Sequence, residues 1–173
     1  MSSYFSNDRN SKVRQPSLLM LSRMTIATLS LCCIGLALSV YTLWVHFEPS
    51  ALACIQSGPI NCHAVLTSPE SIILNIPVPY FGILFFIFLG GLCLPWAWES
   101  RSPWVPWARL ILSSIGVAMV VYLIFTELFT VKEICLWCTG VHIVTFMLFV
   151  LIVTSTPNSL GMKQHAGNGR VKP

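Results

Sequence analysis

Four long stretches of this chain carry almost no polar positions, and polar or proline-containing segments separate them. The first runs from about Met24 to His46, with no charge between Arg23 and Glu48. The second runs from about Pro79 to Trp98, the third from Trp107 to Phe129 and the fourth from Ile134 to Thr154. Roughly 20 apolar residues cross a bilayer as helix, so each stretch is long enough. Strand-like alternation is absent, and in lipid the backbone groups of such a segment must be satisfied internally, which predicts helix for all four. The prolines fall mainly at segment edges (Pro49, Pro77, Pro79, Pro95, Pro103, Pro106), where a missing N–H interrupts least.

Composition agrees with that pattern. The 173 residues are 55% hydrophobic and 9% charged, with a mean hydropathy of +0.75. A soluble domain carries about 25% charged residues, so this surface is not mostly water-facing. The expectation is an all-α integral membrane four-helix bundle forming one domain over 1–173, with flexible tails at 1–17 and 156–173. The first apolar stretch exceeds the ~7–15 residues of a signal-peptide core and lacks an A-x-A site in register, so it is read as a retained helix.

Charge then sets an orientation. Nine of the ten Lys and Arg residues fall in the amino-terminal tail, the second connection and the carboxyl tail, leaving Lys132 on the opposite side. The positive-inside rule places both termini in the cytoplasm. The basic balance is therefore a topology signal. It lacks the aromatic interleaving of a nucleic-acid surface, so lipids are expected as neighbours and nucleic acid is not.

That topology sorts the seven cysteines. Cys32, Cys33 and Cys93 lie within helices, where a thiol packs as a small hydrophobe and stays protonated. Cys54 and Cys62 lie in the long first outer connection, and Cys135 and Cys138 form a CxxC at the outer end of the fourth helix. Disulfides form and persist on that side. Taken alone, Cys54 and Cys62 read equally as a structural disulfide. Cys54, Cys62, Cys135 and Cys138, with His63, would also suit tetrahedral zinc, but only one of the two pairs is close-spaced, so no metal is expected.

The CxxC carries the sharper chemistry. A helix amino terminus stabilises a thiolate, and spacing of three puts both sulfurs on one face. At a membrane surface such a dithiol can meet a lipid-soluble electron carrier. Trp137 between the thiols would wall a flat ligand or anchor at the interface. His142, one turn beyond Cys138, would tune a thiol or bond a ligand oxygen, or else bond a neighbouring helix. Glu127 is placed at the interface, with proton movement as the alternative.

The loop around Cys54 and Cys62 contains Gly58-Pro59, a turn signal that predicts a mobile segment. Ser68-Pro69 reads as the cap and first turn of a short helix, with Ile72, Ile73, Leu74 and Ile76 as the apolar side of a lid. The four outer thiols then make a relay by thiol–disulfide exchange, one pair collecting electrons and the other delivering them.

At these residues the chain resembles the vitamin K epoxide reductase family in its bacterial branch, over roughly residues 24–155. The resemblance is carried by the loop cysteines eight apart, Ser68 six residues beyond the second, the Ile76-Pro77-Val78-Pro79-Tyr80-Phe81-Gly82 run opening the second helix, and the closing CxxC. It implies a four-helix bundle around a quinone, menaquinone or ubiquinone. It also implies that Cys54 exchanges with a thioredoxin-fold partner, that Cys62 exchanges with Cys135, and that Cys138 passes electrons to the quinone, with Ser68 helping to seat its head group. The animal members place an asparagine at the position of Val78 and a tyrosine at that of His142. These departures disfavour epoxide reduction and favour thiol oxidation. Some members fuse a thioredoxin domain at the carboxyl end; here a separate thioredoxin-fold thiol oxidase, DsbA-like, is expected. The unrelated DsbB-type oxidases carry the CxxC in the first outer loop, the reverse of the order here.

The expected function is that of a quinone-dependent thiol–disulfide oxidoreductase in the cell inner (plasma) membrane, with its active site on the extracytoplasmic side, supporting disulfide-bond formation. Reduction of vitamin K epoxide or quinone at the same site is the first alternative. A non-enzymatic membrane protein with structural cysteines is the second.

Overall fold

The computed structural model describes residues 5–54, 58–99, 102 and 104–159. The elements, in order, are α1 (Phe5–Phe47), a 3-10 turn (Pro49–Ala51), α2 (Cys62–Leu66), a second 3-10 turn (Pro69–Ser71), β1 (Ile72–Ile73) and β2 (Ile76–Pro77). Then come α3 (Val78–Leu92), α4 (Pro95–Glu99), α5 (Trp104–Phe125), a π-helical turn (Thr126–Val131) and α6 (Leu136–Ser159). Three spans are long and apolar enough to cross a membrane: Arg23–Phe47 in α1, Trp104–Val131 through α5 and its π-helical turn, and Leu136–Thr156 in α6. With the shorter apolar α3 they form an all-α multi-pass membrane bundle. The helix α1 begins at Phe5, inside the segment expected to form a tail, while 160–173 lie outside the described residues.

The second span departs from expectation. A single helix over 79–98 was anticipated, but α3 ends at Leu92 and α4 restarts at Pro95. Proline has no N–H to give the carbonyl four residues back, here that of Gly91, and its ring clashes with it. Helical hydrogen bonding therefore breaks at Cys93-Leu94 and resumes with Ala97 N donating to Leu94 O at 2.9 Å.

Packing follows the inverted logic of a lipid solvent. Large apolar side chains such as Trp44, Phe88, Ile115 and Phe146 are exposed, whereas Thr28, Ser39, Thr42, Ser113 and Thr145 are buried. Most of these hydroxyls bond carbonyls of their own helix: Thr42 Oγ1 donates to Ser39 O at 3.0 Å and Thr145 Oγ1 to Val141 O at 2.9 Å. Small polar residues thus let helices approach while all of these donors but Ser39 bond a carbonyl. Helix α1 packs closely on α3 and α6, α5 packs on α6, and the α3–α5 seam is looser. Gly82 fixes the α1–α3 approach: a Cβ there would lie 2.8 Å from the Ser39 hydroxyl.

Two cores result. One, in the body of the bundle, joins Cys32, Phe86, Leu89, Cys93, Val144, Leu148 and Ile152. Cys32 and Cys93 are apolar packing there, while Cys33 faces outward. The other lies at the opposite end and unites Val45, Cys62, Val65, Leu66 and Cys135.

Arg109, counted above as a loop charge, is buried on α5. Its Nε donates to Leu92 O at 2.8 Å and its guanidinium sits 3.8 Å from the Trp98 ring centroid. It ties the frayed end of α3 to α5 and α4, so it is a packing residue as well as a charge.

Candidate active site

The long loop between α1 and α3 folds over one end of the bundle in short pieces, each set by local chemistry. Asn61 caps α2, its Oδ1 accepting from Ala64 N at 3.1 Å, and this fixes Cys62 as the first residue of that helix. Gly58 adopts a φ of +57°, which costs a glycine little and lets the chain double back before Cys62. Pro69 opens a 3-10 turn after Ser68, as the Ser-Pro pair suggests. The lid helix expected beyond it is instead a hairpin, Ile72 opposite Pro77 and Ile73 opposite Ile76. Leu74 and Asn75, at φ of +53° and +66°, supply its two-residue turn, and a helix has no place for two such residues in succession. The helical part of the lid is α2.

The loop is pinned to the head of α6. Ile60 and Ile134 form a parallel β-bridge, with Asn61 N donating to Ile134 O at 3.1 Å and Ile134 N to Pro59 O at 2.9 Å. Tyr41 and Trp137 grip the segment just ahead of Cys54. Trp137 Nε1 donates to Ala53 O at 2.8 Å, Ala53 N donates to the Tyr41 hydroxyl at 3.0 Å, and the two rings lie 4.4 Å apart. Trp137 is absent from the cavity wall described below. The reading of Trp137 as a ligand wall is therefore corrected: its indole holds the loop.

These attachments bring both cysteine pairs together. Cys54 and Cys62 are joined as a disulfide with Cα atoms 6.3 Å apart. Cys62 and Cys135 are both buried members of one apolar cluster, and Cys54, Cys138 and Trp137 pack against it. Cys135 and Cys138 are free thiols, and Cys138 N donates to Cys135 Sγ at 3.3 Å. The hydrogen bond from the Cys138 thiol holds the Cys135 thiol below its ordinary pKa despite burial, with the Cys138 and Trp137 amides adding to it. The amide contribution is the helix-start effect expected of the motif, and it is smaller than that of the neighbouring thiol.

Beneath the cluster lies a cavity of about 490 Å³ between the helices. That is a typical size for a small-molecule site, and its wall is mostly apolar. The polar groups reaching it are few: Cys138, His142, Glu127, His46, Ser68 and Glu70 are among them. Cys138 and His142 thus share the cavity face of α6, one turn apart, and no hydrogen bond to the His142 ring is found among the described residues. The Ser68 hydroxyl does not cap its turn. It donates to Val65 O at 2.9 Å and keeps its lone pairs as acceptors. Val78 also lines the wall.

The sequence pattern places one residue here elsewhere and gives almost no signal for another. Glu127 is buried on the cavity wall, not placed at the interface, because the π-helical turn rotates it inward. His46 closes α1 with Nδ1 2.8 Å from Leu66 O, linking the loop to the cavity rim. A lone histidine at the end of an apolar stretch was its only signal. Among the described residues, no group of three or more His, Cys, Asp or Glu side chains is arranged to hold a metal ion.

The comparison with protein families gives a match. The description "Vitamin K epoxide reductase family" matches residues 26–153, from the first membrane span to the last. The chain therefore belongs to the vitamin K epoxide reductase family, and with it to the oxidoreductases that link thiols to quinone or vitamin K epoxide.

Proposed function

We propose that this protein is a quinone-dependent thiol–disulfide oxidoreductase. In this reading it reoxidises a separate thioredoxin-fold carrier on the extracytoplasmic side of the cell membrane. The observation that carries the proposal is the shared cluster of Cys62 and Cys135, with Cys138 turned to the cavity below. A dithiol pair and a disulfide pair in one cluster can exchange, and only one of the four sulfurs needs to face a lipid-soluble acceptor.

The steps follow from nucleophile access. The carrier thiolate attacks Cys54, which is half-buried at the loop surface, and frees Cys62. The Cys62 thiolate then attacks Cys135 in an oxidised CxxC and releases Cys138. The carrier's second thiol then releases Cys54, and Cys54 attacks Cys62 of the Cys62–Cys135 bond. This re-forms the loop disulfide and leaves both CxxC thiols reduced, the arrangement of a loop disulfide beside two free CxxC thiols. A bound quinone supplies the acceptor, taking two electrons and two protons. The cavity fits a flat ring with an apolar tail: its wall is mostly apolar, with His142 and Ser68 available to carbonyl oxygens. Menaquinone and ubiquinone share those features. The apolar Val78 offers no polar contact to an epoxide or ring oxygen, and this favours thiol oxidation over epoxide reduction.

The extracytoplasmic assignment is supported by the distribution of basic residues, nine of ten of which fall on the side that the positive-inside rule assigns to the cytoplasm, opposite the four cysteines. Quinone reduction by the purified protein, fed by a reduced thioredoxin-fold carrier, tests the proposal. Cys135→Ala or Cys138→Ala is expected to abolish it. Undiminished turnover in either variant contradicts the relay.

A further inference from the structure

We infer that Glu127 carries the proton that leaves the CxxC when its dithiol is oxidised, and hands it to the acceptor in the cavity. The inference deepens the quinone-linked reading above and rests on it. A two-electron oxidation of Cys135 and Cys138 breaks two S–H bonds and forms one S–S bond. The two electrons and two protons convert the two carbonyl oxygens of a quinone into hydroxyls. Cys138, on the cavity wall, can release its proton directly toward the ligand. Cys135 is fully buried in the loop cluster and is not part of that wall, so its proton needs an intermediate holder.

Glu127 meets that need by position. It belongs to the cavity wall, it is 7% exposed, and the Cys135 backbone N–H is a hydrogen-bond partner of its carboxyl group. The carboxyl group thus lies between the Cys135 main chain and the cavity, close enough for its charge to act on the Cys135 thiol. Its placement is built by backbone geometry. A π-helical turn, uncommon and frequent at functional sites, runs Thr126–Val131, and the Glu127 carbonyl accepts both from Lys132 N and from Glu133 N, the latter at 3.2 Å. Lys132 sits at φ +58° to close it. An ionisable group kept inside a membrane protein is functional more often than not.

The titratable groups around Glu127 are few. Cys135, Cys138 and His142 come from the α6 side, His46 from α1 and Glu70 from the loop, while Lys132 and Glu133 follow it in its own segment. α2 contributes Cys62, held in the disulfide, and His63, which is exposed. α3 presents only apolar side chains and Gly82 to this cavity. Besides Cys138, His142 is the titratable side chain that α6 presents to the cavity among the described residues, so the test separates it from Glu127.

The test uses full-length protein reduced at the CxxC and mixed with ubiquinone-1 for one turnover. Glu127→Gln keeps an acceptor oxygen for the Cys135 amide but cannot take up a proton. Quinol formation is expected to fall by roughly 10²-fold or more, the usual contribution of a placed acid–base group. Glu127→Asp recovers part of the rate, and His142→Gln retains the Glu127-dependent limb of the pH profile. A second readout needs no quinone: oxidising the CxxC with ferricyanide, which takes the two electrons and leaves both protons behind, gives an infrared difference spectrum in which the protonated-carboxyl stretch appears in wild type and is absent in Glu127→Gln. Unchanged quinol formation and an unchanged carboxyl band in Glu127→Gln overturn the inference alone. Failure of the wild-type protein to reduce ubiquinone-1 or a menaquinone analogue overturns both it and the reading on which it rests.

Discussion

Ile60 and Ile134 pair in a single parallel β-bridge, and each lies one or two residues ahead of a cysteine. The bridge welds the mobile-looking loop to the head of α6, so the encounter of Cys62 with Cys135 is prepared before any partner arrives. Pre-arranged reacting groups avoid an entropy cost at the moment of exchange.

Trp137 secures the same loop from the other side, through its bond to Ala53 O. Trp137→Phe keeps the ring against Tyr41 and removes that donor. One net hydrogen bond is worth about 0.5–1.5 kcal/mol. The docked loop is then expected to lose roughly two- to tenfold in population, with faster amide exchange at Ala51–Cys54 and slower transfer from Cys62 to Cys135. Hydrogen-exchange mass spectrometry of the variant measures it.

Gly82→Ala places a methyl 2.8 Å from the Ser39 hydroxyl, which has no hydrogen-bond partner among the described residues. Overpacking of this kind costs about 1–3 kcal/mol. Thermal unfolding in detergent is expected to show that loss, and Ser39→Gly in the same protein to recover part of it. Full stability in Gly82→Ala alone would mean that α1 and α3 are less closely packed than described.

Arg109→Ala removes the bond to Leu92 O and the stacking on Trp98. A charged hydrogen bond contributes about 1.5–3 kcal/mol and a desolvated cation–π contact about 2 kcal/mol, so the combined loss is large. Arg109→Met, which fills the space without burying a charge, is expected to lose less. Comparative unfolding of the two variants distinguishes a packing role from a purely topogenic one.

Much of this architecture is legible in the residues, and the misreadings share a cause. Hydropathy alone locates the membrane segments because the solvent imposes it at every position along them. Cys54, Cys62, Cys135 and Cys138 are found because two-by-two spacing survives without a fold. The break at Pro95 was written in the sequence but overridden by the apolar run around it. The hairpin at Ile72–Pro77 was hidden because Ser68-Pro69 signals a turn start and says nothing of Leu74 and Asn75 adopting positive φ. Glu127 and Trp137 were misplaced for a stronger reason: one depends on a π-helical turn, the other on a carbonyl far away in sequence.

The depressed pKa of Cys135 makes the exchange pH-dependent in a stated direction. Run in reverse, from a reduced CxxC and an oxidised loop pair, the exchange starts with Cys135 attacking Cys62. A thiol held below its ordinary value is thiolate at lower pH, so this attack rises with pH and levels off earlier than for a free cysteine. Cys138 is the leading cause of that depression, so Cys138→Ala is expected to move the midpoint upward. Rapid-quench exchange kinetics across pH check it, and a midpoint unmoved by Cys138→Ala would count against the assigned cause.

The central claim is that Cys62 hands electrons to Cys135 and that Cys138 serves the cavity. Peptide mapping of the Cys138→Ala protein under non-reducing conditions tests it most directly, after exposure to a thioredoxin-fold carrier. The account predicts a Cys62–Cys135 disulfide, with Cys54 free or joined to the carrier. An intact Cys54–Cys62 disulfide beside a free Cys135, or a Cys54–Cys135 bond in its place, would contradict it.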